Sequence, residues 1–441
     1  MKFSLGYIFI QQFVTGFLAI ASIRLYTEIM TPLEFSLSML YFGALVLSDG
    51  IFVSSNNQLL AYFLSKYNSI KEQTYIANFL SVFTSKISFF IYSASLLIVV
   101  FLIYIFEFKS DFLLLFFLSF LYVLLGIYKS NVTLPYNVRQ DHRSFSNYMI
   151  IESLVVFVIV FLGLLLAKQL MLSIPITLIV LMVLSRVLVL LIVLLLSNKN
   201  QRNIDEQYPE KIDIKSIIKP SNKEILWYVL PFSLMGIIGW LGIYLDRYVL
   251  SIISDISGIA TYIACVSLML RPYNILSAIL TNYFRPKLFK VRQEGKLLEW
   301  KKYFIQWVVI SLIFGSLASI LFYLLNSFIV SILLSEEYRS GTIELMTILS
   351  IGFCFLLINH AVDNFYFSNG TSKGLLIPQL ISIAVLVVGL IILSSQYGVV
   401  GAAIARALSD FSKLFITVFV IRHSFKFNKE LSVENSNCND N

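Results

Sequence analysis

Between Ile176 and Leu196 the chain carries one charged residue, Arg186, in an otherwise almost wholly apolar run. A run of roughly 20 apolar residues matches the hydrocarbon core of a bilayer crossed by one helix, and comparable runs recur along the whole chain. Of 441 residues, 58% are hydrophobic and 13% are charged, whereas an ordinary soluble domain has roughly 25% charged residues. A soluble globular protein is excluded. The apolar content is enough for about 12 spans, so the expected fold class is an all-α polytopic membrane protein.

Apolar runs bounded by polar or turn residues place spans near residues 5–30, 35–64, 79–106, 111–135, 147–167 and 173–197. Six more fall near 225–250, 257–283, 303–332, 342–367, 374–395 and 398–422. The expected organisation is an N-lobe over 1–197, a cytoplasmic linker over 198–224, a C-lobe over 225–423 and a polar cytoplasmic tail over 424–441. Pro209 and Pro220 amid mixed charges give the linker its character. The second half follows the first at an offset of 223 (247 − 24), which sets Arg24 on Arg247, and Phe35 in Thr31-Pro32-Leu33-Glu34-Phe35 on Gly258 in Ser254-Asp255-Ile256-Ser257-Gly258. Even-numbered halves imply a parallel repeat about an axis along the membrane normal.

The formal charge of +8 follows membrane topology, not nucleic-acid binding. With both termini cytoplasmic, nearly all Lys and Arg in loops fall on the cytoplasmic side and only Lys109, Lys168 and Arg339 fall outside. The most basic loop, running from Arg285 through Lys287, Lys290, Arg292 and Lys296 to Lys301 and Lys302, reads as topogenic. It can also attract anionic lipid headgroups at about 1 kcal/mol per residue near the surface. Cys265 and Cys354 lie in apolar runs and Cys438 in the tail, a pattern that gives no disulfide framework and no metal-ligand spacing. The first apolar run ends in Ala19-Ile20-Ala21 like a signal peptide, but Gln11 and Gln12 interrupt it, so the helix is expected to stay. The sequons at Asn131 and Asn369 face the cytoplasm in this topology and are read as chance.

No segment outside the spans is long enough for a catalytic domain, and no phosphate-binding loop, zinc-protease motif or nucleophile elbow occurs. The expectation is a transporter, not an enzyme, without cofactor or metal, driven by an ion gradient such as H+ or Na+, by the membrane potential or by the substrate gradient.

A charge near the bilayer centre costs roughly 2.5 to 3.5 kcal/mol on insertion scales, so such groups face water or a partner. The candidates are Arg24, Asp49, Lys86, Arg186, Asp246, Arg247, Arg271, Asp363, Arg406, Asp410 and Lys413, with His360 as a titratable neighbour. Arg406, Asp410 and Lys413 stand at i, i+4 and i+7, a spacing that lets them neutralise one another. Asp246 and Arg247 are adjacent and cannot share a face, so at least one must find a partner on another helix or in a cavity. Arg24 and Arg186 read as lacking an acidic neighbour at helical spacing, and the guanidinium fork suits phosphate. Those two and Arg247 are the first candidates for contact with an anion. Lys86, nearer its helix end, is expected to snorkel. His360 and Asp363, three apart, can either couple a proton to a conformational change or form a structural hydrogen bond. Pro231, Pro272 and Pro378 are expected bend points, and Arg271-Pro272 sets a cation beside one of them.

One succession of motifs opens the second half: Trp227-Tyr228-Val229-Leu230-Pro231, then Leu245-Asp246-Arg247-Tyr248, then Gly258-Ile259-Ala260-Thr261-Tyr262. Phe284-Arg285-Pro286-Lys287-Leu288, Ser335-Glu336-Glu337-Tyr338 and Tyr397-Gly398-Val399-Val400-Gly401-Ala402-Ala403 follow in order. In this the chain resembles bacterial polysaccharide flippases, the O-antigen or capsule repeat-unit translocases of the multidrug/oligosaccharidyl-lipid/polysaccharide exporter superfamily. The resemblance implies two six-helix lobes around a central cavity that opens alternately to each side of the bacterial inner membrane. It implies an undecaprenyl-diphosphate-linked oligosaccharide as cargo, with Arg24, Arg186, Arg247 and Arg271 as cavity cations. Asp246, His360, Asp363, Arg406 and Asp410 would be coupling or structural charges. Membrane lipids, a polysaccharide polymerase and assembly proteins are the expected partners. Phe35 departs from the family's usual glycine, which weakens the transfer of site residues in the first lobe. The alternatives are a multidrug and toxin extrusion-type antiporter and a flippase for another polyprenyl-linked cargo.

Overall fold

A computed structural model of the protein describes residues 2–67, 69–106, 111–139, 141–207, 219–254, 258–369 and 372–438, with backbone alone for 2–5, 97–106, 111, 198–207, 293, 372–373 and 423–438. Lys109, Asp255 to Ser257, the 208–218 part of the expected linker and the Gly370-Thr371 part of the second sequon lie outside the described residues, as does the side chain of Cys438. Among the described residues all regular structure is helical.

The first helices are α1 (Lys2–Ile29), α2 (Pro32–Asp49) and α3 (Ser55–Leu64), with a single π-helical turn at Gly50–Ser54 joining α2 to α3. Then come α4 (Ile70–Phe106), α5 (Asp111–Val138), α6 (His142–Gln169) and α7 (Ile174–Gln207). The remainder is α8 (Asn222–Ile253), α9 (Ala260–Gln293), α10 (Leu297–Leu333), α11 (Thr342–Ser368) and α12 (Leu376–Cys438). Local chemistry sets several boundaries. Thr31 caps α2 in a reciprocal box with Glu34, and Pro32 takes the first turn, where its missing N–H costs nothing. Gly341, at φ 71°, precedes α11.

Eleven of the described helices are long and apolar enough to span a bilayer, the last running Leu376–Arg422. Gly398 breaks that last one with φ 56° and ψ −135°, a conformation open essentially to glycine alone. The two halves pack on each other: the Ser382 and Ser409 hydroxyls lie 2.9 Å apart, and a Cβ at Gly389 would come within 2.9 Å of the Ala405 Cβ. Gly401 comes so close to the Leu393 carbonyl that no side chain fits there. These pairs nest around residues 396–398, so α12 doubles back and supplies two spans. The twelve expected spans are accounted for in this way, and the chain is a multi-pass membrane protein.

By its internal contacts the chain divides into two compact units, Met1–Tyr244 and Leu245–Asn441. The division falls inside α8, whereas the expected boundary was the polar stretch 198–224. Packing within the first unit explains it. Trp240 donates its indole N–H to the Gly43 carbonyl (2.7 Å), Ser233 donates to the Ile51 carbonyl (3.1 Å), and the backbone of Gly236 lies against Gly50. Residues 198–207, expected in the linker, continue α7. Pro231 and Pro272 stand inside α8 and α9 as expected, but Pro378 sits in the first turn of α12, where a proline bends nothing.

Candidate functional site

In the first unit the apolar run of α7 carries Arg186, its side chain 11% exposed, to a position against α2 and α5. Its guanidinium donates to Asp49 Oδ1 at 2.6 Å and to the Tyr122 carbonyl at 2.8 Å, and lies 3.4 Å from the centre of the Tyr122 ring. Gly126, one turn beyond Tyr122, leaves the space that the guanidinium occupies. Asp49 ends α2 at the point where the π-helical turn begins. That wider turn frees the Ile51 carbonyl, which accepts from both Ser55 (2.7 Å) and Ser233 (3.1 Å). Arg186 is therefore held by its own chain through the full reach of its fork.

Arg24 is also paired. Its Nη2 lies 2.7 Å from Glu28 Oε2, one turn along α1, so the expectation that it lacks an acidic neighbour is corrected: Glu28 stands at i+4. This pair is loose, with side chains 35% and 58% exposed, and exposed helical pairs of this type contribute only about 0.3 to 0.5 kcal/mol. The Arg24 Nη1 atom is buried and without a hydrogen-bond partner. Lys86 is exposed on α4. The sequence reading passed over a further pair, Lys129 donating to Glu152 at 2.7 Å between α5 and α6. Both residues interrupt apolar runs, which was the signal that could have found them.

In the second unit Asp246 is fully buried at the C-terminal end of α8. Its Oδ2 accepts from the Tyr262 hydroxyl of α9 at 2.6 Å and faces Arg406 Nη1 of α12 at 3.4 Å. Its Oδ1 accepts the Arg247 backbone N–H at 2.8 Å. Arg406, with its side chain 2% exposed, also meets Asp410 Oδ2 at 3.4 Å. The partner expected for Asp246 on another helix is found. Arg247 is 4% exposed.

The spacing of Arg406, Asp410 and Lys413 predicted mutual neutralisation, and the first two follow it. Lys413 does not: its Nζ reaches Asp363 Oδ2 on α11 at 2.9 Å, because Asp410 is already taken by Arg406. The long lysine stem makes the crossing easy. Asp363 is thus engaged by a cation, while its Oδ1 is buried without a hydrogen-bond partner. His360, on the same face and partly buried, accepts the Asn364 side-chain N–H on its backbone carbonyl (2.6 Å). Asn359 ties α11 to α12 by donating to the Asp410 carbonyl at 2.9 Å. Tyr262 and Asn359 give no charge signal in the sequence.

Arg271 stands apart from these networks. It lies within the span Ala260–Arg292 of α9, its residue is exposed, and among the described residues no carboxylate lies within ion-pair distance of it. Pro272 follows it within the helix. A cation at that position with an open guanidinium can hold an anionic group at two points. Among the described residues no group of three or more His, Cys, Asp and Glu is placed to hold a metal ion.

The helical arrangement is shared with solved membrane transporters, several of them described as members of the MOP superfamily, and this likeness is one of fold. The lipid II flippase MurJ in an inward closed conformation is similar with a TM-score of 0.69 at 14% identity, over 94% of this chain and 87% of that one. A MOP superfamily transporter from Pyrococcus furiosus, described as having reversed polarity in its binding pocket, is similar at 0.67 and 11% identity, over 96% and 95% of the two chains. A multidrug resistance MATE family transporter in an outward-facing conformation gives 0.67 and 11%, over 97% and 96%. The capsular polysaccharide biosynthesis protein CapF of Staphylococcus aureus is 25% identical over 205 residues, 46% of this chain. The chain spans about half, 51%, of the length of that curated relative. No family model matches the chain.

Proposed function

We propose that the chain is a flippase that moves an undecaprenyl-diphosphate-linked oligosaccharide repeat unit, of O-antigen or capsule type, from the cytoplasmic to the periplasmic leaflet of the bacterial inner membrane. It would work by alternating access coupled to an ion gradient, H+ or Na+, with both termini cytoplasmic. The observation that carries this reading is Arg271, an exposed cation within an apolar span and without a carboxylate partner among the described residues. A cation inside an apolar span is costly unless it meets water, a partner or a ligand. A diphosphate bearing sugars cannot cross about 30 Å of hydrocarbon unaided, and the guanidinium fork offers it a two-point hold. Arg24 supports the same role, since its weak pairing with Glu28 leaves it free to exchange that carboxylate for a phosphate. The fold shared with a lipid II flippase and the partial likeness to a capsular polysaccharide biosynthesis protein are compatible with a lipid-linked cargo.

A second reading, a multidrug and toxin extrusion-type antiporter, draws on the MATE neighbours. Such a transporter would bind cationic drugs through accessible acidic groups. In this chain Asp49, Asp246, Asp363, Asp410 and Glu152 are each already engaged by a cation of the chain.

The test is the leaflet distribution of the lipid-linked oligosaccharide in cells depleted of the protein, read with a membrane-impermeant sugar label on spheroplasts. The proposal expects accumulation on the cytoplasmic face, rescued by wild type but not by Arg271→Glu present in equal amount. An unchanged distribution on depletion would overturn it, and loss of drug efflux in the same cells would favour the antiporter.

A further inference from the structure

Seven basic residues and only Glu294 and Glu299 stand between residues 285 and 302, a net of +5 (7 − 2). They surround the turn where α9 ends and α10 begins, and they are not equivalent. Lys290 and Lys296 lie 3.9 Å and 2.8 Å from Glu294, whose carboxyl is held below its ordinary range by the hydrogen bond from Lys296. Arg285 donates to Asn364 at 2.8 Å. Lys287 and Lys302 make no ion pair among the described residues: Lys287 is half-buried with its Nζ 3.5 Å from the centre of the Tyr283 ring, and Lys302 is exposed.

Above these two lysines the helices form a groove of about 350 Å³, within the range of roughly 300 to 1,000 Å³ typical of ligand pockets. Tyr283 and Phe284 line it from α9; Tyr303, Gln306, Val309 and Ile310 line it from α10. Phe284 stacks on the buried Trp307 at 5.6 Å, which makes a firm floor, while Tyr283 and Val309 are exposed along the walls. The register matches on both sides. Lys287 is one turn beyond Tyr283 and Phe284 toward the α9–α10 turn, and Lys302 is one turn from Gln306 and Ile305 toward the same turn. Two antiparallel helices thus place an apolar slot deeper in the span and a lysine from each wall at its turn-side end.

We propose that this groove binds one anionic glycerophospholipid, with an acyl chain along the aromatic and aliphatic walls and the phosphate at Lys287 and Lys302. Charge complementarity and shape select the occupant. The groove is too apolar for a free phosphate, and the paired lysines discriminate against a zwitterionic headgroup. Tyr303 and Gln306 stand at the intermediate depth, where their polar ends can meet the glycerol esters. This site is separate from the residues that carry the transport reading.

The purified full-length protein, reconstituted with phosphatidylglycerol carrying a photoactivatable group in one acyl chain, tests it. Cross-links mapped by mass spectrometry are expected within residues 283–310. Their yield is expected to fall about thirtyfold in the double variant Lys287→Gln with Lys302→Gln, given the contribution of each basic residue near an anionic surface. Filling the slot with Val309→Trp, at an exposed position and in variant protein that reconstitutes in equal amount, is expected to abolish them. The double variant Lys290→Gln with Lys296→Gln is expected to label as wild type, and a phosphatidylcholine analogue to give background only. Equal labelling by phosphatidylcholine, equal loss in the Lys290 and Lys296 variant, retained labelling with Val309→Trp, or cross-links only outside 283–310 would each overturn the proposal.

Discussion

Arg406 sits between Asp246 and Asp410 with 2% of its side chain exposed and Tyr262 sharing the Asp246 carboxylate. Removing one partner of a buried charge group strands the others, at a cost of about 3 to 5 kcal/mol. Arg406→Met is therefore expected to lower thermal stability in detergent by that order, and Arg406→Met combined with Asp246→Asn and Asp410→Asn to recover much of the loss. If the triple variant is no more stable than the single one, the charges are not what holds these helices. In the first unit Asp49→Asn is expected to cost about 1 to 3 kcal/mol by leaving Arg186 without its carboxylate, less than in the buried cluster because the Asp49 side chain is 31% exposed, measurable in the same melt. Glu28→Gln is expected to change stability by less than about 0.5 kcal/mol. The sequence located every one of these cations, because a charge in an apolar run is conspicuous. By helical spacing it assigned Asp410 to Arg406, but it could not assign partners on other helices: Asp49 is 137 residues from Arg186, and helical spacing offered Lys413 the wrong aspartate.

Helix α8 shows what happens one level up. Its sequence predicts a plain apolar span with a proline, yet its packing depends on glycine: Gly236 lies on Gly50 so closely that a Cβ would collide with the Gly50 carbonyl. The π-helical turn at Gly50–Ser54 prepares that surface, and no periodicity in the sequence announces it. Ser55 and Ser233 have their hydroxyls 3.1 Å apart. In a variant with cysteines at both positions and a protease site inserted in 198–224, oxidation is expected to keep the two fragments joined; fragments that separate would contradict this packing. Gly398→Ala is expected to destabilise the α12 turn by about 1 to 3 kcal/mol, seen as reduced protein in the membrane. That break was legible, since polar residues and a glycine interrupt the hydropathy there. The extension of α7 past Ser197 was not, because its last turns are polar and follow the helix only by continuation.

At the scale of the molecule, hydropathy alone was enough for a many-spanned α-helical chain, because the bilayer leaves few other ways to satisfy a backbone. Function was less accessible: the proposed reading turns on which intramembrane cations are committed to the fold and which are open, and that distinction comes from three-dimensional pairing. Arg186 was a leading anion contact by sequence and is tied to Asp49; Arg271, also among the expected cavity cations, is exposed and has no carboxylate within ion-pair distance among the described residues. The most direct measurement is transport by purified protein in vesicles loaded with an undecaprenyl-diphosphate-linked oligosaccharide on one face. The account predicts that wild-type protein exposes the oligosaccharide to a sugar-specific reagent on the other face under an imposed ion gradient, and that Arg271→Glu, folded and inserted in equal amount, does not. Equal translocation by wild type and Arg271→Glu, or none by wild type beyond empty vesicles, would contradict it.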